Sequence, residues 1–287
     1  MEDYKQNFLK KLTEASLDLN EAETVLATYM KENYKKVSLL DLDDVAKILS
    51  IEPVQIVRYI TKLGFKNYED LRSTLRDFAM SELSSADRFE FSQISIVPKI
   101  NNIKNVVIHQ ELSNLNKLID RFDEAAFYSL LEKIIIAPEI IVVGTRSSSI
   151  LALYIDQMFN KLGKRTIAIT SGATNQLDNL PLLHSEALVL ALGFARYPKE
   201  TVRMVSFFKK RQYAVVSITD HATSPLTPFS DVTFTVPCQS VSITDFYATP
   251  FSVINMIIIL LSQIDKDRSA SYLNRFEDMA KDFGFYF

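Results

Sequence analysis

The sequence predicts an all-α N-terminal domain followed by an α/β domain with a mostly parallel five-stranded sheet. The 287 residues exceed the usual length of one domain, and a hydrophobic content of 47% supplies a core for two. Apolar residues recur at three-to-four spacing early in the chain, whereas the later part alternates helical segments with short β-branched runs. Because residues 81–98 lose this periodicity and are rich in serine and charge, we expect domains at 1–80 and 101–287, with a linker at 81–100.

Short helices are predicted in the N-terminal domain. The first begins after Asn20, which has Glu23 three positions further on in a capping-box pattern. The next begins at Asp41, whose carboxylate can cap the free amides of the first turn. After a short turn, Pro53 suits the first position of a third helix, which extends to about Leu63.

The second and third of these helices have the spacing of a helix-turn-helix, which places its second helix in the major groove of DNA. Between residues 47 and 76 there are six cationic and three anionic side chains, which favours local phosphate contacts although the whole chain has a net charge of −3. An arginine on a short helix can instead pair with a neighbouring carboxylate, so this alternative stays open. The expected DNA-binding residues are Gln55, Arg58, Thr61 and Lys62.

The second domain is predicted from β-branched runs separated by helical segments, the pattern of a parallel sheet buried on both faces. The runs lie at 140–143, 166–169, 187–192, 214–218 and 232–236. A helix at 101–120 leads into this domain, and helices at 246–263 and 269–283 close it. The first closing helix is so apolar that we expect it to be buried against the sheet or against a partner subunit.

Two loops are candidates for ligand binding, because ligands bind beyond the carboxyl ends of the strands in an open parallel sheet. The loops at 144–149 and 193–199 each follow a strand and open a helix, and both contain cationic residues. Amides, hydroxyls and guanidinium groups at one sheet edge favour a phosphorylated or carboxylate ligand. Helix capping by the serines, surface ion pairs of the arginines and packing of the tyrosine are the alternatives. The candidate ligand-binding residues are Thr145, Arg146, Ser147, Ser148, Arg196 and Tyr197.

Motifs along nearly the whole chain point to a family. They are Ile56–Tyr59 with Lys62–Phe65 and Tyr68–Leu71, then Val143–Ser148, Arg196–Tyr197 with Lys199–Thr201, and Ser224–Leu226 ahead of Ser230–Val232. In this order they resemble the RpiR family of bacterial regulators, in which a helix-turn-helix domain precedes a sugar isomerase (SIS) domain. The resemblance implies a dimer or higher oligomer that binds operator DNA and changes its affinity when a phosphosugar occupies the SIS domain.

The chain departs from this family in both loops and in the helix-turn-helix. Arg146 stands where a glycine is common, and Glu52 and Gln55 stand where small hydroxyl residues are usual. Either Arg146 and Arg196 replace hydroxyls with charge and select a different anion, or the domain has lost ligand binding and serves for dimerisation. In the second loop, three hydroxyl residues that hold phosphate in the family are replaced by Gly193, Ala195 and Pro198.

The composition also restricts which metals, cofactors and membrane partners we expect. With the single cysteine Cys238, an intrachain disulfide and a cysteine-based zinc site are excluded, so we expect a reducing cytoplasm and no metal. The N-terminal segment lacks the apolar core of a signal peptide, and the longest apolar run, 256–261, is too short to cross a bilayer. The sequence therefore predicts a cytoplasmic protein without a membrane partner and without a cofactor.

We expect a transcriptional regulator that senses a small anionic ligand, with no catalytic residue. Two other functions stay open. SIS domains also occur in aldose–ketose isomerases, which need a general base; among His109, His184 and His221, only His221 closely follows a strand. That activity would leave the N-terminal domain unexplained. A ligand-free oligomerising or interaction protein would account for the missing hydroxyls.

Overall fold

The computed structural model describes residues 19–38, 40–72, 74–75, 84–95, 98–171, 180–243 and 245–285. The chain divides into two compact units, one of residues 1–103 with 241–243 and one of residues 104–240 with 244–287. Residues 76–83, at the end of the first predicted domain and the start of the predicted linker, lie outside the described part. The predicted domain bounds therefore stay predictions.

The N-terminal unit is helical, as predicted. Its capping box is present: Glu23 N donates to Asn20 Oδ1 across 2.9 Å, and Asn20 N donates to Glu23 Oε2 across 3.1 Å. Buried side chains from successive helices, including Leu26, Val45 and Ile60, form one apolar core. The first helices are α1 (Glu21–Glu32), α2 (Tyr34–Val37), α3 (Leu42–Leu49) and α4 (Pro53–Lys62).

The turn between α3 and α4 has the predicted length, and α4 ends as expected for a helix followed by glycine. Gly64 has a φ of +91°, and Phe65 N donates to Ile60 O across 3.1 Å. The predicted cap of α3 is wrong in one respect. Asp41 lies at the N-cap, but its carboxylate accepts a hydrogen bond from Arg72 instead of capping the helix amides. A guanidinium is the stronger, charged donor.

Residues 85–95, inside the predicted linker, form helix α5 (Ser85–Ser95), although the sequence there lacks a clear helical periodicity. On this helix Arg88 and Ser92, four residues apart, are buried, whereas Phe89 is exposed. A search for apolar periodicity misses such a helix because its buried face contains polar side chains.

The second unit contains a five-stranded sheet of order β2-β1-β3-β4-β5, and every neighbouring pair is parallel. The strands are β1 (Ile140–Val143), β2 (Thr166–Ile169), β3 (Leu188–Gly193), β4 (Ala214–Thr219) and β5 (Val232–Thr235). Helix α6 (Ile100–Asp120) begins in the first unit and continues into the second. The second unit also contains the helices α7 (Glu124–Ile136), α8 (Ser149–Lys161), α9 (Lys199–Lys210), α10 (Ala248–Ile264) and α11 (Lys266–Phe283). The predicted α/β class is confirmed.

Both faces of the sheet are buried, which explains the uninterrupted apolar runs in its strands. In β1, Ile140 and Val142 pack with α7, α8 and α10, whereas Ile141 and Val143 pack with α9 on the opposite face. Helix α10 contributes Val253 and Ile257 to the first of these cores. The expected burial of this helix against the sheet is therefore observed.

Within the described ranges, no single helix is both long and apolar enough to cross a membrane. Helices α10 and α11 meet that test only as a pair, and they are bent by 105° at their junction.

Candidate ligand-binding and DNA-binding sites

The strand order brings the two predicted ligand loops to neighbouring positions. From β1 the chain crosses to β2 on one side, whereas β3, β4 and β5 follow on the other side. The carboxyl ends of β1 and β3 therefore form the switch point at which doubly wound sheets bind ligands. Residues 144–149 begin at the end of β1, and residues 193–199 begin at the end of β3.

A buried hydroxyl pair joins the first loop to the helix that follows the second. Thr145 Oγ1 lies 2.8 Å from Thr201 Oγ1, and Thr145 N donates to the same Thr201 oxygen across 3.3 Å. Thr145 is buried, so its side chain supports the loop from within. Gly144 allows the close turn, because a Cβ there would lie 2.9 Å from Ser148 O.

Both candidate arginines are exposed and have left-handed backbone. Arg146 has a φ of +58° and Arg196 a φ of +70°. This region favours glycine, which accounts for the glycine common at the position of Arg146 in the family that the sequence resembles. Each loop thus presents one guanidinium at the carboxyl edge of the sheet.

Tyr247, which sequence reasoning missed, covers the serines of the first loop. Its hydroxyl donates to Ser147 Oγ across 3.0 Å, and the centroid of its ring lies 5.4 Å from the ring centroid of Phe194. Burial raises the pKa of the Tyr247 hydroxyl, which stays a proton donor at neutral pH. Ser147 is exposed and Ser148 is buried. An aromatic residue just before α10 was the available signal, but nothing in its spacing links it to residue 147.

The second loop is held by Asp220, a further residue that the sequence analysis missed. Ala195 N donates to Asp220 Oδ2 across 2.9 Å, and the Tyr197 hydroxyl donates to Asp220 Oδ1 across 2.6 Å. Burial raises the pKa of Asp220, and burial together with the nearby carboxylate raises that of Tyr197. The amide of Ala195 is therefore bound by a carboxylate of the chain itself. The sequence signal was a polar residue directly after β4.

Packing around Gly193, the first of the three positions at which the resemblance predicts a hydroxyl, leaves little space for a side chain. A Cβ on Gly193 would lie 2.6 Å from Cδ1 of Leu226, which is fully buried. A serine at this position therefore requires Leu226 to move. A side chain at position 193 would therefore contact the core beneath the loop.

The histidines are dispersed in the second unit. His221 follows β4 and its Nδ1 lies 2.7 Å from Thr223 Oγ1, whereas His184 Nδ1 accepts from Glu186 N across 3.1 Å and His109 is exposed on α6. Among the residues with described placement, no group of three or more His, Cys, Asp or Glu side chains is arranged to hold a metal ion.

On α4 the four predicted DNA-binding residues differ in their surroundings. Arg58 is exposed, and the exposed Thr61 donates through Oγ1 to Val57 O across 2.9 Å. Lys62 Nζ lies 2.5 Å from Oε1 of the buried Glu23 on α1, and this hydrogen bond holds the pKa of Glu23 below its usual value.

The Gln55 side chain forms a hydrogen bond at the N-terminus of α4. Its Oε1 accepts a hydrogen bond from Glu52 N across 3.3 Å.

Two domain models match the chain, one in its N-terminal part and one in its C-terminal part. The model of the helix-turn-helix domain of the rpiR family matches residues 6–82, and that of the SIS domain matches residues 133–260. An uncharacterized HTH-type transcriptional regulator of Clostridium perfringens is 19% identical over 262 residues, which cover 90% of this chain and 92% of the relative.

Two solved structures have a similar fold. The sugar isomerase domain of an RpiR transcription factor from Sphaerobacter thermophilus has a TM-score of 0.57 and 23% identity, covering 60% of this chain and 96% of that one. The Vibrio vulnificus NanR protein complexed with ManNAc-6P has a TM-score of 0.59 and 18% identity, covering 96% and 98%.

The fold and the matched domains define a helix-turn-helix regulator that carries a SIS domain. The chain combines a helix-turn-helix domain of the rpiR family at residues 6–82 with a SIS domain at residues 133–260.

Proposed function

We propose that this protein regulates transcription by binding operator DNA through its N-terminal domain, residues 1–80, and sensing a small anionic ligand through its C-terminal domain, residues 101–287. The observation that carries the sensing half is the pair of exposed arginines, Arg146 and Arg196, on two adjacent loops at the switch point of the sheet. Guanidinium groups bind phosphate and carboxylate through charged, often paired hydrogen bonds.

The ligand contacts we propose combine these cations with the hydroxyls of the first loop. The exposed Ser147, next to Arg146 in the chain, accepts a hydrogen bond from the hydroxyl of the half-buried Tyr247. On the second loop, the Ala195 amide and the Tyr197 hydroxyl are already bound by Asp220, whereas the first loop keeps Ser147 exposed, although Asp245 Oδ2 lies 3.4 Å from the Tyr247 hydroxyl. We therefore place the anionic group at the first loop, with Arg196 reaching it from the second loop. The NanR protein, which has a similar fold, was solved with ManNAc-6P, and this supports a phosphosugar as the ligand class.

The proposed regulator acts as a homodimer or tetramer in the cytoplasm, without a membrane partner or a cofactor. A dimer sets the distance between two α4 helices, which bind half-sites about one helical turn, or a multiple, apart. Ligand binding changes operator affinity if the ligand prefers one arrangement of the dimer. A coupling of about 1–3 kcal/mol corresponds to a change of roughly 5- to 150-fold.

We propose no catalytic role for the SIS domain. The similar regulator from Clostridium perfringens covers both domains of the chain, which supports a non-enzymatic function. His221, the histidine considered for an isomerase, has its Nδ1 engaged with the hydroxyl of Thr223. Turnover of a sugar phosphate by the purified protein would favour the isomerase instead.

The test begins with selection of duplexes from a random library by the full-length protein. Affinity for the selected duplex is then measured against salt and against a panel of sugar phosphates, inorganic phosphate and carboxylates. We expect an inverted repeat, a steep salt dependence and a shift in affinity with at least one anion. A constant affinity across the whole panel would contradict the sensing half.

Site variants locate the response. Arg146→Gly suits the left-handed backbone and removes the exposed side chain with its guanidinium, so it should abolish the response while preserving operator affinity without ligand. Tyr247→Phe should weaken the response by removing the hydroxyl that bonds Ser147. Lys210→Ala, at the far end of α9 and exposed, is the matched control and should respond as wild type. An undiminished response in Arg146→Gly would reject the proposed site.

A further inference from the structure

The outward face of α4 contains two exposed valines. Val54 is 71% exposed and Val57 is 37% exposed. With about 3.6 residues per turn, Val54, Arg58 and Thr61 lie along one face of the helix, and Val57 borders it. The opposite face contains Ile56, Tyr59 and Ile60, which are buried in the core of the domain. The residues most directly available to a partner of α4 therefore include both valines.

The other two polar candidates on α4 lie on its flank and serve the domain itself. Lys62 is paired with Glu23 of α1, and Gln55 accepts a hydrogen bond from Glu52 N. The polar members of the outward face are the exposed Arg58 and Thr61, and the Thr61 hydroxyl donates to Val57 O within α4.

The chemistry of this face matches the major groove of DNA. Arg58 follows Val54 by one turn of the helix. Its positively charged guanidinium can donate hydrogen bonds to the guanine edge or to phosphates. The thymine C5-methyl is the apolar group that base pairs present in the major groove, and apolar side chains contact it there. Val54 lies in the first turn of α4, the end of a recognition helix that contacts base edges.

We infer that Val54 and Val57 contact thymine methyl groups in the major groove and thereby require thymine at two positions of each operator half-site. This inference rests on the proposed DNA-binding function and adds the identity of the bases. Arg58 and Thr61 supply the polar contacts of the same face. Lys62 is a positioning residue that holds α4 against α1.

The experiment replaces single thymines by deoxyuridine in a duplex selected from a random library, using the full-length protein. Deoxyuridine keeps the base pair and removes only the methyl group. Losing one buried methyl contact should weaken wild-type binding by about fourfold at each contacted position. Val54→Ala should abolish the sensitivity at one position, and Val57→Ala should abolish it at another.

Val25→Ala is the matched control, because Val25 is 47% exposed on α1 and outside the proposed face. It should keep the wild-type response at every thymine. Alanine favours helix more than valine does and all three valines are exposed, so we expect the variants to fold. Retained salt-dependent binding of the parent duplex checks this directly.

The outcomes distinguish failure of this inference from failure of the proposed DNA-binding function on which it rests. Sensitivity to uracil that disappears in Val54→Ala and Val57→Ala, but not in Val25→Ala, supports the assigned contacts. If wild type tolerates uracil at every thymine, or if the valine variants keep the wild-type profile, the inference is wrong. Salt-dependent binding of the selected duplex would then still support the proposed DNA-binding function. If no duplex is enriched by the wild-type protein, the proposed DNA binding itself fails.

Discussion

The Tyr197 hydroxyl donates a hydrogen bond to Oδ1 of Asp220 across 2.6 Å and thereby joins the loops that follow β3 and β4. The other oxygen of the same carboxylate accepts from the amide of Ala195. One side chain thus holds the second candidate ligand loop at two points. The loop that follows β3 is thus organised around an internal carboxylate.

Tyr197→Phe should lower the free energy of unfolding by about 1–2 kcal/mol, because it removes the charged hydrogen bond to Asp220 and leaves the ring in place. Urea denaturation measures this change. Tyr128→Phe, in which an exposed hydroxyl on α7 is removed, is the control and should differ from wild type by less than about 0.5 kcal/mol. Equal stability of the two variants would mean that the Tyr197–Asp220 bond does not support the fold.

Asp220→Asn should alter how stability depends on pH. Because burial raises the pKa of Asp220, the folded protein binds more protons than the unfolded chain between the unfolded and the folded pKa. The Asp220 contribution to stability therefore falls as pH rises through this window and is constant above it. Relative to Asp220→Asn, wild type should gain stability as pH falls toward about 4, the ordinary carboxyl value.

Urea titrations of both proteins at several pH values measure that difference. Asp278→Asn, at an exposed position on α11, is the control and should lack the effect. A stability difference between wild type and Asp220→Asn that is independent of pH would contradict the raised pKa.

Lys62→Ala should destabilise the N-terminal domain by about 1–2 kcal/mol, because Glu23 is buried and loses its charged partner while the exposure of Lys62 screens part of the attraction. The pKa of Glu23 is lowered in the folded state, so this contribution is complete above the ordinary carboxyl pKa. It should disappear as pH falls through the folded pKa of Glu23. Chemical denaturation across this range tests both statements, with the exposed Lys31→Ala as control.

The same variant distinguishes the two roles of Lys62 on DNA. As a positioning residue, its loss should weaken duplex binding without changing the dependence of affinity on salt. A salt slope that becomes shallower by about one unit would instead identify a direct phosphate contact.

Gly193→Ser, which restores a hydroxyl at a position where the family has one, should destabilise the protein by about 1–3 kcal/mol. The new Cβ would overlap Cδ1 of Leu226 at 2.6 Å. Combining it with Leu226→Ala should cost less than the sum of the two single changes, because the smaller residue provides the missing space. Ala195→Ser, in the same loop, is the comparison. Strict additivity in the double variant would contradict the steric explanation.

The sequence by itself determined the class of the fold and the location of the candidate sites. Short-range patterns carry this information: the Asn20 capping box, the turn before Pro53 and the β-branched runs each specify local structure through their own neighbours. The positions of both candidate ligand loops follow from the rule that parallel strands gather their carboxyl ends at one edge of the sheet.

Only the tertiary structure decided which side chains meet there. Asp220 and Tyr247 reach the two loops from positions 23 and 100 residues away from their partners, Tyr197 and Ser147. Lys62 is paired with Glu23, 39 residues earlier, although its helical position alone favours DNA. Such pairs depend on how helices and strands pack, and a hydrogen bond between residues far apart in the chain leaves no periodic signal in the sequence.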